Sequence, residues 1–270
     1  MRLNFRGRRV LITGGSSGIG LAAAKRLVRD GARVVIAARD ASRLERARQG
    51  LQAECQQGGT ITPVSVDVRN DSSVEGCVRS TIAVLGGLDL LLLSAGEAHA
   101  GRFTETFPEV ARALMETNYF GAVRATRSAL PHLTASRGHI SFVSSMAGIA
   151  AIYGYTAYGA TKFAVSGFAE SLRQEVKPMG VGVSVLCPAD TDTPQLEAEN
   201  RTKPAETRAI AGTIKPVSPD AVAAAWLDGI SRGHIEIIPG LESKLTALLV
   251  RSFPALFRAY AEWRVRKVSR

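Results

Sequence analysis

A chain of 270 residues, 46% hydrophobic and 21% charged, has the size and composition of one globular domain with a sizeable core. Its formal charge of +10, from 34 Lys and Arg against 24 Asp and Glu, suits phosphorylated ligands or an anionic surface, and no nucleic-acid module accompanies it. Cys55, Cys77 and Cys187 form no disulfide framework, and His99, His132, His139 and His234 show no metal-ligand spacing. No metal is expected, and the compartment is expected to be reducing and cytoplasmic. Met1–Gly7 runs straight into the first apolar segment, so no signal peptide is expected. No apolar run reaches the roughly 20 residues that a membrane-spanning helix needs.

The first expected strand, Arg9–Thr13, leads into Gly14-Gly15-Ser16-Ser17-Gly18-Ile19-Gly20, with a helix opening at about Gly18. Such a turn lets backbone N–H groups, those of Ser16, Ser17 and Ile19 included, approach a pyrophosphate, whose charge the helix N-terminus favours. The second strand, Arg33–Ala38, ends in Arg39-Asp40. NAD sites commonly place an acidic residue at this strand end against the ribose 2′-hydroxyl. Arg39 is suited instead to pair bidentately with a 2′-phosphate, which makes NADPH the expected cofactor. After the third strand, Ile61–Val66, Asp67 and Val68 are placed to meet the adenine. After the fourth, Leu88–Ser94, the small residues Ala95 and Gly96 let the backbone run close to the cofactor.

The fifth strand, Gly138–Ser144, ends beside Ser145, and a helical stretch follows with Tyr158 and Lys162 four residues apart on one face. A cation beside a phenol favours the phenolate, which predicts a lowered Tyr158 pKa and a proton donor usable near neutral pH. The sixth strand is Val181–Cys187, with Cys187 read as packing, and a short seventh is Ile235–Ile238. Strands apolar on both faces, such as Val34-Val35-Ile36, suit a buried parallel sheet. Alternation with helices predicts an α/β, Rossmann-like, doubly wound sheet of about seven strands with helices on both faces. Residues 1–240 then form one dinucleotide-binding reductase domain, with the proline-rich stretch at about 189–219 expected as a mobile lid.

Residues 241–270 read as a basic amphipathic helical extension, with seven cations against two acidic side chains. Its apolar stripe comprises Leu245, Leu248, Leu249, Phe253, Leu256, Phe257, Tyr260 and Trp263, and Pro254 is expected to divide it into two short helices. The pattern fits a peripheral membrane contact, packing on the domain, a partner subunit and an acyl-chain groove equally, so all four stay open.

In this order the motifs resemble those of the short-chain dehydrogenase/reductase family, over Arg6 to about Pro239. The glycine turn corresponds to Gly14, Gly18 and Gly20. The family's Asn-Ala-Gly motif appears as Ser94-Ala95-Gly96, and its Pro-Gly-x-x-x-Thr element as Pro188-Ala189-Asp190-Thr191-Asp192-Thr193. The resemblance implies that Pro188, Thr191 and Thr193 lie at the cofactor and that Asn118, Ser145, Tyr158 and Lys162 carry out ketone reduction. In that scheme Ser145 steadies the carbonyl oxygen and Tyr158 protonates it. Lys162 holds the ribose hydroxyls, and Asn118 completes a proton path through its backbone carbonyl and a water. The resemblance also implies a homo-oligomer, dimer or tetramer. Pro188–Pro194 and Glu199–Pro204 are similar to the branch that reduces a long-chain 3-keto amino lipid in sphingolipid synthesis, the expected substrate. A reductase of a 3-oxoacyl thioester or steroid, and a non-catalytic NADP-sensing protein, are the alternatives.

Overall fold

The computed structural model describes residues 4–211 and 215–268. Seven strands, β1 (Arg9–Thr13), β2 (Arg33–Ala38), β3 (Thr60–Ser65), β4 (Leu90–Leu93), β5 (His139–Val143), β6 (Gly182–Leu186) and β7 (Glu236–Ile237), form one sheet. Every pairing is parallel and the order is β3-β2-β1-β4-β5-β6-β7. The chain runs outward from β1 to β3 and then returns to place β4 on the other side of β1. That reversal opens a crevice at the carboxyl ends of β1 and β4, where Thr13 sits beside Leu93.

The strands are apolar throughout because both faces are covered. Leu11, Val35, Leu91, Ile140 and Phe142 pack against α3 (Asp71–Leu85), α5 (Gly121–Ser136) and α6 (Thr156–Val176). Their strand neighbours Val10, Ile12, Val34, Ile36 and Leu92 point the other way, onto α1 (Gly18–Arg29), α2 (Ala41–Gln52) and α9 (Pro219–Ser231). Each buried leucine or isoleucine contributes about 1.5–3 kcal/mol relative to exposure, so the alternation fixes the register. The expected strands Leu88–Ser94 and Val181–Cys187 overrun β4 and β6 by one to two residues, although Ser94 N still donates to the Thr13 carbonyl and Cys187 N to the Ile237 carbonyl.

The stretch expected as a lid folds, among the described residues, into α7 (Pro194–Asn200) and α8 (Ala205–Ala211), with Leu196, Thr207 and Ile210 buried. Beyond β7 the extension divides at Pro254 into α10 (Leu241–Ser252) and α11 (Pro254–Val268). Helix α11 lies on α8, and the Arg264 guanidinium donates to the Ala209 carbonyl. No helix among the described residues is long and apolar enough to cross a membrane.

Candidate active site

At the carboxyl ends of β1, β4, β5 and β6 a cavity of about 430 Å³ opens, and the glycine turn forms one wall. Gly14 has φ +72°, and a side chain on it would sit 2.6 Å from the Ser94 carbonyl oxygen and the Ala95 nitrogen. A Cβ on Gly20 would lie 2.5 Å from the Gly14 carbonyl oxygen, so the turn closes only with glycine at both places. Ser17 is the extended residue preceding α1, which leaves the first N–H groups of that helix without helical partners. Gly18 has φ +54°, and a Cβ on it would lie 3.1 Å from the methyl of Thr193, the residue that caps α7 by accepting from Leu196 N at 3.3 Å. These are the features a pyrophosphate requires, so the residues present fit a nicotinamide dinucleotide.

Ser145 follows β5 and opens a 3-10 turn, Met146–Gly148, accepting from Ala147 N at 3.1 Å. Its neighbour Ser144 donates to the Lys162 carbonyl at 3.0 Å and shares a 2.9 Å hydrogen bond with Ser166. A Cβ on Gly148 would come within 2.4 Å of the Ser144 hydroxyl. The end of β5 is thereby clamped to α6, and Ser145 hydrogen-bonds Tyr158. Lys162, one turn along α6, is buried, donates to the Val143 carbonyl at 3.0 Å and lies 5.6 Å from the Tyr158 ring centre.

The electrostatics differ from the sequence expectation. Tyr158 has its pKa raised, chiefly by burial and then by the charge of Glu199, against a lowering by the Ser145 hydrogen bond. Burial also brings Lys162 down to about 8. The cation on the same helix was visible in the sequence; the burial and the carboxylates that outweigh it were not. Tyr158 is therefore held as a protonated donor.

Gly14, Ser17, Gly18, Ile19, Gly96, Ser145, Tyr158, Lys162, Pro188, Thr191 and Thr193 all line this one cavity. Asn118 lies behind it, in a π-helical turn (Glu116–Phe120) between α4 (Pro108–Met115) and α5. Its side chain accepts from Glu97 N at 2.8 Å and donates to the Glu97 carbonyl and the Thr161 hydroxyl, each at 2.9 Å, tying the loop after β4 to α6. Ser16, Gly20 and Ala95 support the turn from outside the lining. Arg39 stands at the end of β2 in an ion pair with Glu97 at 2.5 Å, while Asp40 turns aside to cap α2 through Arg43 N at 2.9 Å. Asp67 is held by Arg69 at 2.6 Å, which brings its carboxyl down to about 2, and Val68 is buried against Gly121.

The sequence reading missed several lining residues. Tyr155 and Glu199 face the cavity beside Asp190, and the Tyr155 hydroxyl donates to Glu199. Lys203 bridges Glu199 at 2.8 Å and Asp190 at 3.0 Å. The three-residue step from Tyr155 to Tyr158 and the four-residue step from Glu199 to Lys203 were the available signals. Leu249, Phe257 and Tyr260 of the C-terminal helices also line the cavity, as do the apolar side chains of Ile152, Leu196 and Ile210. Cys187 is buried and its thiol is pushed up to about 12, which suits packing and not nucleophilic chemistry.

Residues 8–204 match the family model described as short chain dehydrogenase. The chain belongs to the short-chain dehydrogenase family. It is accordingly an oxidoreductase. Among curated members it is 39% identical over 235 residues to the 3-dehydrosphinganine reductase of Danio rerio, covering 86% of this chain and 71% of that protein. It is 40% identical over 246 residues to the 3-ketodihydrosphingosine reductase of Mus musculus, covering 90% and 74%. Among solved structures, a short-chain dehydrogenase/reductase of Burkholderia phymatum in complex with NAD superposes with a TM-score of 0.83 at 24% identity, covering 94% of this chain and 96% of that one. An alcohol dehydrogenase of Thermococcus sibiricus complexed with 5-hydroxy-NADP gives 0.74 at 25% identity, covering 86% and 95%. Both support the parallel sheet and its helical layers.

Proposed function

We propose that this short-chain dehydrogenase reduces 3-ketodihydrosphingosine, a long-chain 3-keto amino lipid, to its alcohol with NADPH. One observation carries the reading beyond the family. The cavity holding Ser145 and Tyr158 is also lined by the apolar side chains of Ile152, Leu196, Ile210, Leu249 and Phe257, which suits a ketone that carries a hydrocarbon tail. The curated relatives named for this reaction support it over most of the chain.

The dinucleotide, when bound, supplies hydride to the carbonyl carbon. Gly14, Ser17, Gly18 and Ile19 hold its pyrophosphate, Arg39 its 2′-phosphate, and Lys162 its ribose. Ser145 donates a hydrogen bond to the carbonyl oxygen as negative charge builds there. Tyr158 transfers its phenolic proton to that oxygen, leaving a secondary alcohol and a tyrosinate. Lys162 and the Ser145 hydrogen bond steady the tyrosinate until solvent returns the proton. General acid help of this kind is worth on the order of a hundred- to ten-thousand-fold in rate.

The C-terminal helices serve two surfaces in this reading. Their inner residues shape the tail site. Their outer face exposes Leu241, Leu245, Leu248, Phe253, Leu256 and Trp263 beside Lys244, Arg258 and Lys267, and rests on an anionic membrane from which a lipid substrate is drawn.

NADPH oxidation with purified protein tests the substrate. The long-chain amino ketone is expected to give a kcat/KM at least about tenfold above an acetoacetyl thioester or a steroid ketone, the scale of discrimination that pocket contacts supply. Faster turnover of the thioester or steroid contradicts the reading.

A further inference from the structure

Beside the reacting groups lies a polar cluster that the reduction itself does not use. Glu199 and Lys203, on and just beyond α7, are buried, as is Tyr155 at the start of α6; Asp190, in the loop after β6, is part-exposed and borders the cavity. Lys203 bridges both carboxylates, at 2.8 Å and 3.0 Å, and Tyr155 donates its hydroxyl to Glu199. Burial works to lower the Lys203 pKa, but the hydrogen bond and charge of Glu199 and the charge of Asp190 outweigh it, so the side chain stays an ammonium. Two carboxylates against one ammonium leave one negative charge uncompensated at the cavity wall. The Tyr155 ring lies 5.4 Å from the Tyr158 ring, and Glu199 and Asp190 both raise the Tyr158 pKa, so this charge acts at the reacting end of the cavity.

We infer that Glu199 and Asp190, set by Lys203 and Tyr155, form a subsite for the ammonium group of an α-amino ketone whose carbonyl faces Ser145 and Tyr158. The inference rests on the proposed function and adds to it the residues that recognise the substrate's amine. A ketone bearing an ammonium on the adjoining carbon brings its positive charge within two bonds of the carbonyl carbon, and the cluster's Tyr155 ring stands 5.4 Å from that of Tyr158. The tail then lies against the apolar side chains that line the same cavity. A neutral headgroup leaves the negative charge unanswered, and this cost discriminates against it. The substrate cation also offsets the field opposing a tyrosinate at Tyr158.

The test compares NADPH-dependent reduction of a long-chain 2-amino-3-ketone with reduction of the same-length 3-ketone lacking the amine. Wild-type protein is expected to favour the amino ketone by about ten- to a hundredfold in kcat/KM, the range of a charge-assisted hydrogen bond. Glu199→Gln and, separately, Asp190→Asn are expected to bring this ratio toward one, with NADPH binding followed by fluorescence as the check on folding. Equal wild-type use of the two ketones, or a ratio unchanged in both variants, overturns the subsite. That comparison needs no variant, so a failure of Glu199→Gln to fold leaves the subsite exposed to refutation. Wild-type protein that reduces neither ketone overturns the proposed function, and the subsite with it.

Discussion

Arg39 and Asp40 leave β2 side by side and take opposite directions. Asp40 spends its carboxylate on the first turn of α2, while the Arg39 guanidinium points across the crevice to Glu97. An exposed ion pair of this kind is worth roughly 0–1 kcal/mol, which a dianionic 2′-phosphate readily outcompetes with bidentate hydrogen bonds. Arg39→Ala is therefore expected to weaken NADPH by about ten- to a hundredfold in titrations while changing NADH by less than about threefold; equal losses contradict the phosphate role. At this scale the sequence was informative where spacing alone decides geometry. Tyr158 and Lys162 share a face because one helical turn separates them. Glu199 meets Tyr155 across 44 residues of chain, a contact that only the folding of the segment after β6 creates. The raised Tyr158 pKa was hidden for the same reason, since it depends on burial and on charges from other elements.

Among elements, β5 and β6 show how a buried polar path is accommodated in an apolar sheet. His139 Nε2 hydrogen-bonds the Ser184 hydroxyl at 2.8 Å, Ser184 meets Ser141 at 2.8 Å, and Trp226 of α9 donates to Ser141 at 2.7 Å. Burial lowers the His139 pKa from 6.5 to about 4. Above pH 6.5 the ring is neutral in folded and unfolded chains alike. As pH falls from 6.5 toward 4, only the unfolded chain takes up the proton, so the folded state loses stability. By pH 5 the loss is on the order of 1–2 kcal/mol. Urea melts at pH 7 and pH 5 are expected to separate less in His139→Gln than in wild type; equal separations contradict a ring held neutral in the folded state. The strands and the helix opening at Gly18 were legible because hydrophobic runs and glycines are local signals. The π-helical turn at Asn118 was not, because its extra residue is set by the tie to Glu97 and Thr161 and leaves no mark in the periodicity.

At the scale of the whole molecule, the sheet's reversal at β1 and β4 brings the glycine turn, the end of β5 and the start of α6 to one mouth, and the C-terminal helices roof it. The sequence located that extension and its break at Pro254. It left four roles open because a two-sided helix pair shows the same stripe whichever face is covered. Phe257 is buried and Leu249 lines the cavity, whereas Leu245 and Leu248 stand 56% and 61% exposed, so the two faces part company. Vesicles containing anionic lipid are expected to sediment the wild-type protein and to release most of the Leu245→Glu, Leu248→Glu double variant. Identical sedimentation of the two contradicts membrane contact through this face. The central claim is that the Tyr158 phenol, hydrogen-bonded to Ser145 and one turn from Lys162, protonates a ketone as hydride reaches its carbon. Its most direct test is the turnover of Tyr158→Phe on the long-chain amino ketone, with NADPH affinity measured in parallel. The predicted result is nearly intact NADPH binding with turnover reduced at least about a hundredfold; turnover close to wild type contradicts the claim.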